Sequence, residues 1–203
     1  MNYQKELEKV IEKNMLNDTL PKLLLHSCCA PCSSYVLEYL QPYFDIAIFF
    51  YNPNIWPELE YKKRLYYQKR FLKDGGFDIT LVEGGYERDT FMALATGNEK
   101  EKEGGKRCFS CYNLRLEETV KYATLGKYDY FGTTLTISPM KNAKKLNEIG
   151  FQLEEKYGVM WLPSDFKKND GYKRSMDLSK KYNLYRQSYC GCEFSRKEEQ
   201  YNE

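Results

Sequence analysis

A glycine-rich loop is missing after the first apolar segment of this chain. Nucleotide hydrolases and dinucleotide enzymes place their phosphate-cradling glycines there. Here the segment Leu23-Leu24-Leu25 runs into His26-Ser27-Cys28-Cys29-Ala30-Pro31-Cys32 instead, which argues against ATP or NAD as the reactive cofactor. Long apolar runs are also missing, and none approaches the roughly 20 residues needed to cross a bilayer. The opening stretch, Met1 to Asp18, is charged and lacks the apolar centre of a signal peptide. A cytoplasmic protein with no membrane partner is therefore expected. Charge of one sign is scarce as well: the net charge is +2, so bulk electrostatics do not announce nucleic acid. No internal repeat or linker divides the 203 residues. A single domain over 1–203 is expected, with an N-terminal helix over about 3–15 and a cysteine-bearing tail over about 183–203.

What the chain has is sulfur. Seven cysteines fall into three tight groups: Cys28, Cys29 and Cys32; Cys108 and Cys111; Cys190 and Cys192. In a cytoplasmic protein such clustering reads as metal binding or redox chemistry rather than a disulfide scaffold. Spacings of three residues let two thiolates reach one metal or cluster from a loop or a first helical turn. Gly191 lets the backbone bend so that Cys190 and Cys192 can face one way. Four thiolates satisfy an iron–sulfur cube or a tetrahedral zinc, and seven exceed one site. The surplus points to a cluster beside a mononuclear metal, or a cluster beside a redox-active pair.

Strand and helix signals alternate. Strands are expected at Leu23–His26, Asp45–Tyr51, Phe77–Val82, Tyr128–Thr134 and Val159–Trp161. Helices are expected at Tyr3–Met15, Ser33–Leu40, Glu58–Leu72, Arg88–Leu94, Cys111–Thr124, Asn142–Tyr157 and Gly171–Tyr182. That alternation predicts an α/β protein, a Rossmann-like parallel sheet of about five strands with helices on both faces. Ligands in such folds bind beyond the carboxyl ends of the strands, where the cysteine loop, Tyr51-Asn52-Pro53-Asn54 and Pro163-Ser164-Asp165 all fall. His26, the only histidine, and Asp165 are the candidates there for handling protons. Basic pairs such as Lys62-Lys63-Arg64 and Lys106-Arg107 read as solvated helix surface unless the fold gathers them on one face.

The strings HSCCAPCS, YNPNI, CFSCYNLRL and YNLYRQSYCGC, in that order between about Leu23 and Phe194, resemble the epoxyqueuosine reductases of the QueH type. The resemblance implies a Rossmann-like enzyme that removes the epoxide oxygen from epoxyqueuosine at the wobble position of tRNA. It also implies a [4Fe-4S] cluster and an adjacent mononuclear iron, with all seven cysteines as ligands. Under it, the cluster takes Cys108, Cys111, one of Cys28 and Cys29, and one of Cys190 and Cys192. Cys32 and the remaining thiols take the single iron. Some relatives carry Asp where this chain has Cys32, and a carboxylate suits an iron ion better than a sulfide cube. Opening an epoxide to an alkene takes two electrons, two protons and the loss of water, so an external electron donor is implied. Asp165 or His26 would deliver protons. Lys141, Lys144, Lys167, Lys168, Lys173, Arg174 and Arg186 would hold the anticodon arm. The competing readings are a zinc-stabilised RNA-binding module, a thiol–disulfide oxidoreductase, and a tRNA sulfur-transfer enzyme. The last is disfavoured because its ATP loop is absent.

Overall fold

Leu23, Leu24 and Leu25 are consecutive, and all three are fully buried. A strand that is apolar on both faces needs helices on both sides of its sheet, and burying each such side chain contributes roughly 2 kcal/mol. The structure, a computed structural model that describes residues 1–16 and 19–195, meets this need. Strands β1 (Lys22–His26), β2 (Asp45–Phe50), β3 (Thr80–Glu83), β4 (Tyr130–Thr133) and β5 (Met160–Trp161) form one sheet in the order β3-β2-β1-β4-β5. Every pairing is parallel, so the α/β class and strand number are as expected. The helices are α1 (Tyr3–Asn14), α2 (Ala30–Leu40), α3 (Glu58–Asp74), α4 (Arg88–Ala95), α5 (Lys106–Leu125), α6 (Ala143–Tyr157) and α7 (Gly171–Lys181).

The period of two along each strand sorts the core. Leu23, Leu25, Ile46 and Ile48 pack with Leu7 and Ile11 of α1, Val36 and Leu37 of α2, and Phe71 of α3. Leu24, Ala47, Phe49 and Phe131 pack with Leu116 and Val120 of α5 and with Leu146 and Ile149 of α6. Helix α7 lies against α2, and α4 against α5. At Gly150 of α6 a Cβ would fall 2.2 Å from the Trp161 ring. Only glycine lets that helix approach β5 so closely.

Two strands begin later than expected, β3 at Thr80 and β4 at Tyr130, for one shared reason. An aromatic residue just past the helix end completes the preceding helix instead of opening the strand. The Phe77 N–H donates to the Leu72 carbonyl and the Tyr128 N–H to the Ala123 carbonyl, each at 3.0 Å. Gly76 and Lys127 supply the positive φ (67° and 54°) that such helix ends use. Two helices begin earlier than expected. Helix α2 starts at Ala30 with Pro31 in its first turn, where a missing N–H costs nothing, and so takes in Cys32. Helix α5 starts at Lys106, so Cys108 and Cys111 lie one turn apart on one helix face. In the expected tail over 183–203, the described residues up to 195 hold no helix longer than the 3-10 turn Glu193–Ser195, and residues 196–203 lie outside the described residues.

Candidate metal centre

The strand order reverses between β1 and β4, which opens a crevice beyond their carboxyl ends. His26 and Thr133 are register partners across that crevice. His26 Nδ1 lies 2.9 Å from Thr133 Oγ1 and its Nε2 lies 3.1 Å from the Tyr51 carbonyl oxygen. Full burial, with Arg115 beside it, pushes His26 down to about 3, so the ring is neutral at ordinary pH. His26 lines neither of the sulfur cavities described next. Its link to them runs through Arg115, which lines both.

The β1–α2 turn gathers the first sulfur group. Cys29 Sγ lies 3.0 Å from Cys32 Sγ and 3.6 Å from Cys28 Sγ, and the three sulfurs are all within 4.8 Å of one another. A tetrahedral ion with metal–sulfur bonds of about 2.3 Å keeps its sulfurs roughly 3.8 Å apart, a value between the Cys29–Cys32 separation and the 4.8 Å limit on the triad. Hydrogen bonds from Cys29 and Cys32, with Arg115 adding, hold the Cys28 thiol well below its ordinary value. The same sharing pushes Cys29 up to about 12 and Cys32 well above the usual thiol range. Gln187 Nε2 donates to Cys29 Sγ at 3.2 Å.

The other four thiols, Cys108, Cys111, Cys190 and Cys192, line a neighbouring cavity of about 20 Å³. A larger cavity of about 260 Å³ is lined by Cys28, Cys32 and Cys190. Arg115, Lys141 and Cys190 line both and form the wall between them. Cys190 is held well below its ordinary value by a hydrogen bond from Cys192, with Lys141 adding. Burial pushes Cys111 up. All three sulfur groups therefore meet at one rim of the sheet, and no cysteine among the described residues is in a disulfide.

Arg64 holds the C-terminal segment over this rim. Its side chain is 1% exposed. It donates from Nε to Glu60 Oε1 at 2.6 Å and from Nη1 to the Cys190 carbonyl at 3.1 Å. Gly191, at φ 105°, could not carry a Cβ without meeting Arg64 Nη1 and Ile55 Cγ1, each at 2.9 Å. The sequence reading left Arg64 on a solvated surface, because it follows two lysines. Arg107 was placed likewise and is also buried. Arg115 was missed although a signal was present: it follows Cys111 by four residues, on the same face of α5.

The expected RNA-binding set is split. Lys141 belongs to the sulfur cavities, with a side chain only 10% exposed. Burial pushes its ammonium down, but Cys190, Tyr112 and Glu103 outweigh this and keep it protonated. Lys144, Lys167 and Lys168 line a basin of about 670 Å³ that Lys141 also lines, so the basin adjoins the sulfur cavities. Asp165 lies on that basin, paired to Lys167, and lines neither sulfur cavity. Lys173 is exposed on α7, and Arg174 makes a two-pronged pair with Glu38 at 2.8 Å. Arg186 lines the larger cavity and donates to Ser179 Oγ at 3.0 Å.

The donor set fits iron and sulfide. Thiolates are the ligands of iron–sulfur clusters, and seven lie at one rim. Three buried polar atoms beside them, Tyr112 Oη, Asn54 Oδ1 and Gln187 Oε1, have no hydrogen-bond partner within the protein. Tyr112 and Asn54 line the smaller cavity and Gln187 the larger, as expected of groups that face a bound species.

Comparisons with known proteins agree. A family model described as epoxyqueuosine reductase QueH matches residues 23–198. Proteins named epoxyqueuosine reductase QueH are similar along most of the chain. The one from Staphylococcus epidermidis is 48% identical over 96% of this chain and 84% of its own length. The one from Thermotoga maritima is 37% identical over 85% of this chain and 89% of its own length. Among solved structures, the U34-tRNA thiolase NcsA from Methanococcus maripaludis, which has a [4Fe-4S] cluster, aligns with a TM-score of 0.50 over 95% of this chain and 68% of its own, at 13% identity. At that identity the likeness is one of fold. The sulfur-bearing rim and the matched sequence lead to one conclusion: the chain belongs to the epoxyqueuosine reductase QueH family, oxidoreductases of tRNA modification.

Proposed function

We propose that this protein reduces epoxyqueuosine to queuosine at the wobble position of tRNA, and that its seven thiols carry a [4Fe-4S] cluster and one neighbouring iron. The observation that carries this reading is the meeting of three sulfur groups, far apart in sequence, around two adjoining cavities. Cys108 and Cys111, one turn apart on α5, suit the cluster. Cys32, in the tight triad, suits the single ion. When bound, such a cluster passes electrons one at a time at low potential. The epoxide takes up two electrons and two protons and leaves an alkene and water, with the electrons coming from an external donor.

The chain's own residues hold the substrate and balance charge. Arg115 and Lys141 set two cations between the sulfur groups, which offsets the buried thiolates. Ile137, Pro139, Met140 and Tyr172 give the larger cavity an apolar wall. A nucleoside lifted out of the anticodon stack can rest against it. Lys144, Lys167 and Lys168 on the adjacent basin, with Lys173 exposed on α7, carry anticodon phosphates, and Arg186 acts from the lining of the larger cavity. Arg174 contributes less, because Glu38 already neutralises it. Protons come from the lining of the larger cavity or from its water, since His26 is enclosed and neutral and Asp165 faces the basin.

The test is turnover. Anaerobic, iron-loaded protein is mixed with a strong reductant and tRNA bearing epoxyqueuosine, and the digested nucleosides are read by mass spectrometry. Loss of one oxygen from the modified nucleoside is expected. An unchanged epoxide under these conditions overturns the proposal.

A further inference from the structure

The larger sulfur cavity is lined by several charged groups and one carboxylate. Arg115, Lys141 and Arg186 bring positive charge, and Glu103 is its only carboxylate among the described residues. Epoxyqueuosine carries its epoxide on a cyclopentane ring joined to the base through a secondary amine, which is protonated at neutral pH. The Cys28 and Cys190 sulfurs on the same lining offset Arg115 and Lys141 and belong to the metal centre in the reading above, so the one anion open to an entering cation is a carboxylate. We infer that Glu103 is that anion, a specificity-determining residue that pairs with the substrate's ammonium group. The inference rests on the reductase reading above.

Position supports the assignment. The Glu103 side chain is 31% exposed and that of Lys141 10%, so the carboxylate stands at the mouth and the lysine deeper. Lys141 Nζ donates to Glu103 Oε1 at 3.2 Å. A carboxylate accepts up to about four hydrogen bonds, so capacity remains for a second cation. The segment bearing Glu103 is also held in place. Arg107 Nη1 donates to the carbonyls of Asn98, Glu99 and Glu101 at 2.8, 2.8 and 2.7 Å. The Gly104 N–H reaches Cys108 Sγ at 3.2 Å. A glycine-rich segment fixed on both sides of its one cavity-facing carboxylate is set before the substrate arrives, which lowers the cost of ordering it on binding.

The experiment measures binding of two tRNAs to the iron-loaded protein, one with queuosine at the wobble position, which keeps the amine, and one with guanosine, which lacks it. Wild type prefers the queuosine tRNA. In Glu103→Gln that preference falls about tenfold, and in Glu103→Asp part of it remains. With epoxyqueuosine tRNA, E103Q raises KM by a similar factor while kcat stays within about threefold. An unchanged visible spectrum and iron content show that the sulfur centre is intact. A preference that persists in E103Q overturns the inference, and so does a loss confined to kcat, which would make Glu103 only an orienter of Lys141. Wild-type protein that binds but does not reduce the epoxide would defeat the reductase reading instead, and the binding ratio would still be read.

Discussion

Arg115 Nε lies 3.3 Å from His26 Nε2, and Arg115 Nη2 donates to Asn52 Oδ1 at 2.6 Å. Asn52 in turn donates through Nδ2 to the Ser27 carbonyl at 2.9 Å. Residues at the ends of β1 and β2 thereby aim one guanidinium between the two sulfur groups. The arrangement needs an uncharged imidazole, since an imidazolium would repel Arg115 across the same gap. Burial and the guanidinium keep the imidazole uncharged.

Arg115→Met should leave the buried Asn52 Oδ1 without its donor, while His26 keeps Thr133 and the Tyr51 carbonyl. Each unsatisfied group costs about 1–3 kcal/mol. Thermal unfolding of the iron-loaded protein should show a loss of about 1–3 kcal/mol, and the visible absorbance per chain should fall. Arg115→Lys keeps the charge but not the fork, and should recover absorbance better than stability.

His26 gives a pH prediction with a definite sign. Its folded value, about 3, lies below the unfolded value near 6.5. Above about pH 6.5 both states are neutral and His26 adds no pH dependence. As pH falls from there toward 3 the unfolded chain takes up the proton and the folded protein does not. Stability is lost at about 1.4 kcal/mol per pH unit. His26→Gln should flatten the acid side of the stability curve relative to wild type between pH 6 and 4, as read by denaturant titration at each pH. Equal slopes in the two proteins would mean that His26 is not held neutral.

Gly191→Ala should disturb the centre from outside it. The added Cβ meets Arg64 and Ile55 in a backbone conformation that favours glycine. A cost of about 1–3 kcal/mol is expected, together with reduced iron loading, because Cys190 and Cys192 flank the position. Iron content that matches wild type would show that the C-terminal segment does not place those thiols.

Much of this was legible in the sequence, and what was missed had identifiable causes. The apolar runs at Leu23–Leu25 and Asp45–Phe50 fix parallel strands because a strand buried on both faces has no other home. The convergence of sulfur was legible for two groups, with Cys32 and Cys111 near predicted helix starts, while Cys190 and Cys192 fell in the tail with no such placement. Phe77 and Tyr128 misled because an aromatic residue suits a strand as well as a helix end, and only the backbone hydrogen bond separates the two. Arg64 and Arg107 misled because a charge beside lysines looks solvated. Their burial depends on carbonyls of segments distant in the chain or irregular in form. Glu103 sits in a charged, glycine-rich stretch that carries no local signal of facing a cavity.

Cys32 tests the proposed division of the thiols between a cluster and a single iron. Cys32→Asp exchanges a thiolate for a carboxylate, which a single iron accepts and a sulfide cube accepts poorly. This variant should keep its labile sulfide and its iron, while Cys32→Ala should lose about one iron per chain with sulfide retained. Cys108→Ala or Cys111→Ala should lose sulfide and colour together. Loss of sulfide on changing Cys32 would place that residue on the cluster.

Binding of tRNA should weaken steeply with salt. Removing Lys144, Lys167 and Lys168 together should flatten the plot of log affinity against log salt by about 2. An unchanged slope would take the basin out of the interface.

The most direct measurement is the iron and acid-labile sulfide content of protein purified without oxygen, recorded with its visible spectrum. Brown protein absorbing near about 400 nm, with roughly five irons and four sulfides per chain, is the predicted result. Colourless protein carrying zinc, or no metal at all, would contradict the account.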